Sequence, residues 1–351
     1  MKERITYWDV ARGMAMLLVI FYHVPLLIHV CNPDAIELLA PHINAGTYVL
    51  PFFMPVFFVI SGYFTNTVKT YWQFLWGDIK NLLLVGLGLT FISYTIQAIG
   101  VRDIGIFKGF FSNMAPARIA DLIFCNWFIS AIFFARQVYY WIDRLAVLIA
   151  KDRKWLYWLT ELLLLAGIAI VGILLEPNAP HNAQWYYCQG LVFAIFIAFG
   201  RVLRIHSIPR WWFLAGGGVY IGLMIISRMC MISTLEYGMI NTSFTLAHWP
   251  YYMVLAITGS MLLIGIAQYI VHYFPLEFIG RHTLIFYIPQ GGLMWVTGER
   301  LKTYLQPDTP AKVWLFVMIM WVVTLVVLGT MSWVYEKVSG VLNKRIIRLH
   351  T

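Results

Sequence analysis

The chain is a succession of apolar stretches about 20 residues long, joined by short polar connections, and none shows the period-two alternation of a barrel strand. In lipid every backbone N–H and C=O needs an internal partner, so stretches of this kind form helices. The spans fall at about 10–30, 48–65, 81–99, 121–142, 155–175, 185–204, 211–230, 251–271, 277–297 and 313–334. Only 12% of residues are charged and 61% are hydrophobic, whereas a soluble domain averages about 25% charged. The expected fold is an all-α integral membrane protein, a bundle of about ten transmembrane helices forming one membrane domain over residues 1–351.

The formal charge of +9 would suit nucleic acid, but the basic residues lie between the apolar spans, where they orient a chain in the membrane. With the N-terminus cytoplasmic, the outer segments hold only Arg102, Lys108, Arg118, Arg228, Arg300, Lys302 and Lys312. Apart from Arg136, within a span, the other cations fall inside. This asymmetry places both termini in the cytoplasm of a multi-pass protein of the cell (inner) membrane. The first span lacks a small-residue cleavage site and reads as retained. No internal repeat is apparent. Cys31, Cys125, Cys188 and Cys230 all fall toward the outer ends of their spans, where a disulfide is permitted but no pairing is selected. Neither CxxC nor HExxH occurs, so no metal site is expected.

Polar residues inside apolar spans need a reason to exist. In the first span Arg12 and His23 are eleven positions apart. That is three helical turns plus roughly 20°, with a rise of about 16 Å. Asp9, one turn before Arg12, completes a stripe on one helix face. It reads either as a snorkelling arginine with a core histidine, or as a functional face with acid and base near one membrane surface and an imidazole further in.

Further polar positions recur in other spans. PFFMPVFFVISGY runs down the second span to Ser61, Gly62 and Tyr63, where the glycine permits either a close backbone approach or a helix end. The fourth opens with Asn126-Trp127-Phe128 and carries Arg136 about 13 Å deeper. Its partner could be Asp9, Asp121, Glu161, a backbone carbonyl or a ligand phosphate. The ninth contains Arg281, His282, Tyr287 and Gln290, the last two at helical spacing, and the tenth ends in Tyr335-Glu336-Lys337.

These residues carry a resemblance over nearly the whole chain. RITYWDVARGMAMLLVIFYH resembles the first-helix signature of the membrane acyltransferase-3 family, and FFVISGY its second block. Asn126-Trp127-Phe128, GRHTLIFYIPQ and Glu336 are similar to its later blocks, in the family's order. The likeness is to the short, stand-alone sugar O-acetyltransferases of the family. Two departures stand out. Asp78-Ile79-Lys80-Asn81 replaces the usual Arg-x-x-Arg pair at the start of span three, and Gln290 replaces the usual histidine of span nine.

The resemblance implies transfer of an acetyl group from cytoplasmic acetyl-CoA to a hydroxyl of an extracytoplasmic or lipid-linked sugar. His23 is then general base, or a transient acetyl carrier, with Asp9 and Arg12 ordering the donor end. Donor contacts are expected from Arg12, Ser61, Gly62, Tyr63, Lys80, Trp127, Arg136, Tyr287, Gln290 and Glu336. The donor phosphates would meet cations among Arg12, Lys69, Lys80, Arg201, Arg204 and Arg281. Membrane lipid and a carbohydrate acceptor are the expected partners, with no nucleic acid. His29, His42, Asn44, His181, Asn182, Gln184, Trp185, Tyr186, Tyr237, Asn241, His248 and Trp249 in the outer loops suit either sugar binding or an interfacial aromatic belt. A proton-coupled transporter or flippase of a sugar-containing solute accounts for the stripe equally well, though not for the family blocks.

Overall fold

The computed structural model describes residues 5–31, 50–106, 108, 127–175, 186–206, 208–230 and 249–350. Among these, helix accounts for 89% and there is no strand. The elements are α1 (Tyr7–Cys31), α2 (Leu50–Phe53), α3 (Pro55–Phe64), α4 (Tyr71–Asp78), α5 (Val85–Val101), α6 (Trp127–Ala150) and α7 (Lys154–Leu175). They continue as α8 (Tyr187–Ile205), α9 (Arg210–Met229), α10 (Trp249–Ile270), α11 (Phe274–Arg281), α12 (Thr283–Tyr287), α13 (Gln290–Leu305) and α14 (Pro310–His350). A π-helical stretch, Ile79–Leu84, joins α4 to α5 as one rod over Tyr71–Val101.

Among the described residues six helices are long and apolar enough to cross a membrane: Tyr71–Val101, Lys154–Leu175, Tyr187–Ile205, Arg210–Met229, Trp249–Ile270 and Pro310–Ser339. Pro51–Phe64 is a shorter apolar helix. The other expected spans meet chemistry that dilutes or interrupts them. α6 carries Arg136, Asp143 and Arg144. The stretch expected at 277–297 is not one helix but α11, α12 and α13, broken at His282, which has φ −110° and ψ 25°, and at Pro289, which has no N–H to continue the ladder. The last helix runs past its expected end at 334 to His350.

Two helices sit at the centre. In α1 the side chains of Val10, Ala11, Ala15, Met16, Val19, Ile20 and Val24 are buried, and in α3 so is nearly every residue from Pro55 to Ile60. α7 and α9 instead expose rows of Leu, Ile and Val, as lipid-facing helices do. Two glycine crossings bring the central helices close to their neighbours. A Cβ at Gly62 of α3 would fall on the Ile197 carbonyl of α8, and one at Gly200 of α8 on the Val59 carbonyl of α3. At the second crossing a Cβ at Gly280 of α11 would strike the Asp9 carbonyl of α1, and one at Gly13 that of Leu276. Gly62 therefore serves close approach and does not end its helix, which continues to Phe64.

Candidate active site

Glycine packing brings the start of α1, the end of α3 and α11 to one end of the bundle, and the charged groups collect there. Arg12 Nη1 donates to Asp9 Oδ1 at 3.2 Å, with Asp9 buried, and the guanidinium lies 5.2 Å from the centre of the Phe64 ring. Trp8 and Tyr63 pack beside them, ring centres 4.4 Å apart. Glu336 Oε1, from α14, meets Arg281 Nη1 at 3.4 Å and His282 Nε2 at 3.3 Å.

A third cluster joins α3, α4 and α6. Arg136 Nε donates to both oxygens of Asp78, at 3.1 and 3.0 Å, and Nη2 lies 2.9 Å from Oδ1. Its Nη1 donates to Ser61 Oγ at 2.8 Å and Thr65 Oγ1 at 2.9 Å, while Gln137 Nε2 donates to Asp78 Oδ2 at 2.8 Å. The partner of Arg136 is thus none of those weighed from the sequence. Glu161 instead accepts from Tyr139 at 2.8 Å, and Asp121 lies outside the described residues. Asp78, conspicuous in the sequence only as a substitute for an expected arginine, is the anion that a buried guanidinium requires. Lys80, two residues on in the π-helical stretch, is exposed.

His23 stands about 16 Å along α1 from Arg12. It is 8% exposed, and its Nδ1 lies 2.8 Å from the Val19 carbonyl one turn back. A carbonyl oxygen only accepts, so Nδ1 carries the hydrogen, and in the neutral form of the ring the lone pair is on Nε2. Tyr22 beside it packs on Phe53 of α2 at 5.7 Å.

The aromatic residues of the motifs form a wall in the same bundle. Phe128 touches Phe57, Phe58 and Tyr287 at ring distances of 5.6, 5.4 and 5.4 Å, and Trp127 lies 6.5 Å from Phe193. Gln290, in the first turn of α13, is fully buried, and neither its amide nitrogen nor its oxygen has a hydrogen-bond partner. The expected site residues therefore divide between a charged end, holding Asp9, Arg12, Ser61, Gly62, Tyr63, Arg136 and Glu336, and an interior holding His23, Trp127, Tyr287 and Gln290. Asn126, Cys125 and most of the outer-loop residues lie outside the described residues; Cys188 is buried and Cys230 exposed. Thr65, Asp78, Gln137 and Gly200 were missed in the sequence. A search for an anion near the start of span three would have found Asp78. No metal-ligand cluster of three or more His, Cys, Asp or Glu occurs among the described residues.

Ion pairs gathered at one end of a bundle of apolar helices, with an imidazole inside it, define a polytopic membrane protein with an ionisable interior site. The model of the acyltransferase domain family matches residues 5–334, so the chain belongs to the acyltransferase 3 family and is a membrane acyltransferase. Neither curated proteins nor solved structures give a match.

Proposed function

We propose that the protein moves an acetyl group from cytoplasmic acetyl-CoA, across the cell (inner) membrane, to a hydroxyl of an extracytoplasmic or lipid-linked sugar. The observation that carries this reading is the 2.8 Å contact between His23 Nδ1 and the Val19 carbonyl, which in the neutral ring leaves Nε2 as the basic atom. In the proposed step Nε2 takes the proton of the acceptor hydroxyl as its oxygen attacks the thioester carbonyl. The C–S bond then breaks, and the imidazolium returns its proton to the departing thiolate, giving the acetyl ester and free CoA. Asp9 and Arg12 order the donor at the charged end, which this reading places in the cytoplasm. The unpartnered Gln290 amide offers a donor and an acceptor to the amides of the pantetheine arm.

The test is His23→Gln in purified, monodisperse protein. Turnover should fall by about 10² to 10⁴, the contribution of a general base. Acetylation at the wild-type rate refutes the role. Labelled acetyl retained on the wild-type enzyme without acceptor replaces direct transfer by a covalent carrier route. Solute flux in vesicles without consumption of acetyl-CoA replaces the enzyme by a transporter.

A further inference from the structure

The cations at the charged end differ in what they are already bound to. Arg12 is paired with Asp9, Arg136 with Asp78 and Arg281 with Glu336, and Arg201 lies 3.7 Å from Asp143. Arg144 and Arg204 have another kind of partner, the backbone of the segment between α3 and α4. Arg144 Nη2 donates to the carbonyls of Val68 and Lys69 at 3.1 and 3.2 Å, and Arg204 Nη1 to the carbonyl of Thr65 at 3.1 Å. Tyr140 fixes the same segment through a 2.8 Å bond to the Lys69 carbonyl. Among the described residues neither guanidinium has a carboxylate within ion-pair distance, and the exposed Lys69 ammonium has none either.

Carbonyl bonds orient a guanidinium without neutralising it. Each arginine has five N–H donors, and these bonds engage one nitrogen of each. Two guanidiniums, from α6 and α8, are therefore held on one short piece of backbone that itself carries Lys69, and among the described residues no carboxylate pairs with any of the three. An anion with several oxygens is the ligand that such an arrangement suits.

We infer that Arg144, Arg204 and Lys69 form a phosphate-binding site on the Thr65–Thr70 segment. The inference extends the acetyl-CoA reading by naming the residues that take the phosphates of the donor nucleotide. The same chemistry would hold the phosphate of an anionic lipid headgroup. Arg136, whose charge Asp78 already balances, is not part of the site and acts as a positioning residue for the end of α3.

The experiment uses the full chain in nanodiscs and two variants, Arg144→Gln with Arg204→Gln, and Lys69→Glu. The second leaves the backbone bonds of the segment in place and so guards against misfolding of the first. In phosphatidylcholine nanodiscs, 3′,5′-ADP is the nucleotide probe. Its dissociation constant should rise about tenfold for each cation removed, the scale of one charge-assisted hydrogen bond. In nanodiscs with added phosphatidylglycerol and no nucleotide, the thermal midpoint of the wild type is compared with that of each variant. A nucleotide effect assigns the site to the donor, and a phosphatidylglycerol effect lost in both variants assigns it to lipid. If neither probe separates the variants from the wild type, the site does not exist. Acetyl transfer by the wild type is scored apart from both. Transfer with unaltered nucleotide binding in the variants removes the site and leaves the acetyl-CoA reading standing. No acetyl-CoA consumption, with a phosphatidylglycerol effect that the variants lose, does the reverse.

Discussion

Replacing Asp78 by Asn keeps the shape of the side chain and removes its charge, leaving Arg136 without the carboxylate that takes three of its nitrogen–oxygen contacts at 2.9–3.1 Å. The pair is largely shielded, with side-chain exposures of 16% for Arg136 and 9% for Asp78, so the discount that applies to surface ion pairs does not apply here. Loss of one partner of a buried pair costs about 3–5 kcal/mol, because the remaining charge stays desolvated. Ser61 and Thr65 remain as neutral acceptors for Nη1 and should hold the cost of Asp78→Asn near the lower figure. Removing both charges, Asp78→Asn with Arg136→Gln, should cost less than the sum of the two single changes by roughly 0.5–3 kcal/mol, the coupling of directly contacting groups. Denaturant unfolding of wild type, the two single variants and the double variant in mixed micelles measures all four corners of the cycle. If Asp78→Asn lies within about 0.5 kcal/mol of wild type, the Arg136 charge is satisfied elsewhere and the argument for a structural cluster fails.

Two further outcomes follow from packing and burial. Gly62→Ala places a methyl group on the Ile197 carbonyl, forcing α3 and α8 apart, and should sharply reduce the yield of folded protein, whereas Gly218→Ala, which meets nothing within 4 Å, should express as wild type; equal yields in size-exclusion chromatography would contradict the crossing. Gln290→Leu removes two unpartnered buried polar atoms and should raise unfolding stability by about 1–3 kcal/mol while lowering acetyl transfer; a variant that is more stable and fully active would show that the amide plays no part in donor binding.

Much of this protein could be read from the order of its residues because lipid imposes one requirement everywhere. Backbone groups must pair within the segment, so apolar stretches of span length announce helices without knowledge of their neighbours. The His23 to Arg12 stripe was legible for the same reason, since helical periodicity is local. Boundaries failed where a local rule met a tertiary one. The stretch 277–297 looked continuous by composition, yet it breaks at His282 and Pro289 as α11 folds against α1 through Gly13 and Gly280.

What the sequence determined by itself is the helical class, the membrane and the acyltransferase 3 membership, each carried by local pattern and motif. Pairing was decided only in three dimensions. Asp78 and Arg136 lie 58 positions apart, and nothing in either neighbourhood indicates that a departure in span three is the counter-charge of span four. The distinction between Arg136, neutralised by a carboxylate, and Arg144 and Arg204, held by carbonyls, rests on the same ground. Coulomb and hydrogen-bond energies depend on distance through space, and the chain order does not contain that distance until the helices have packed.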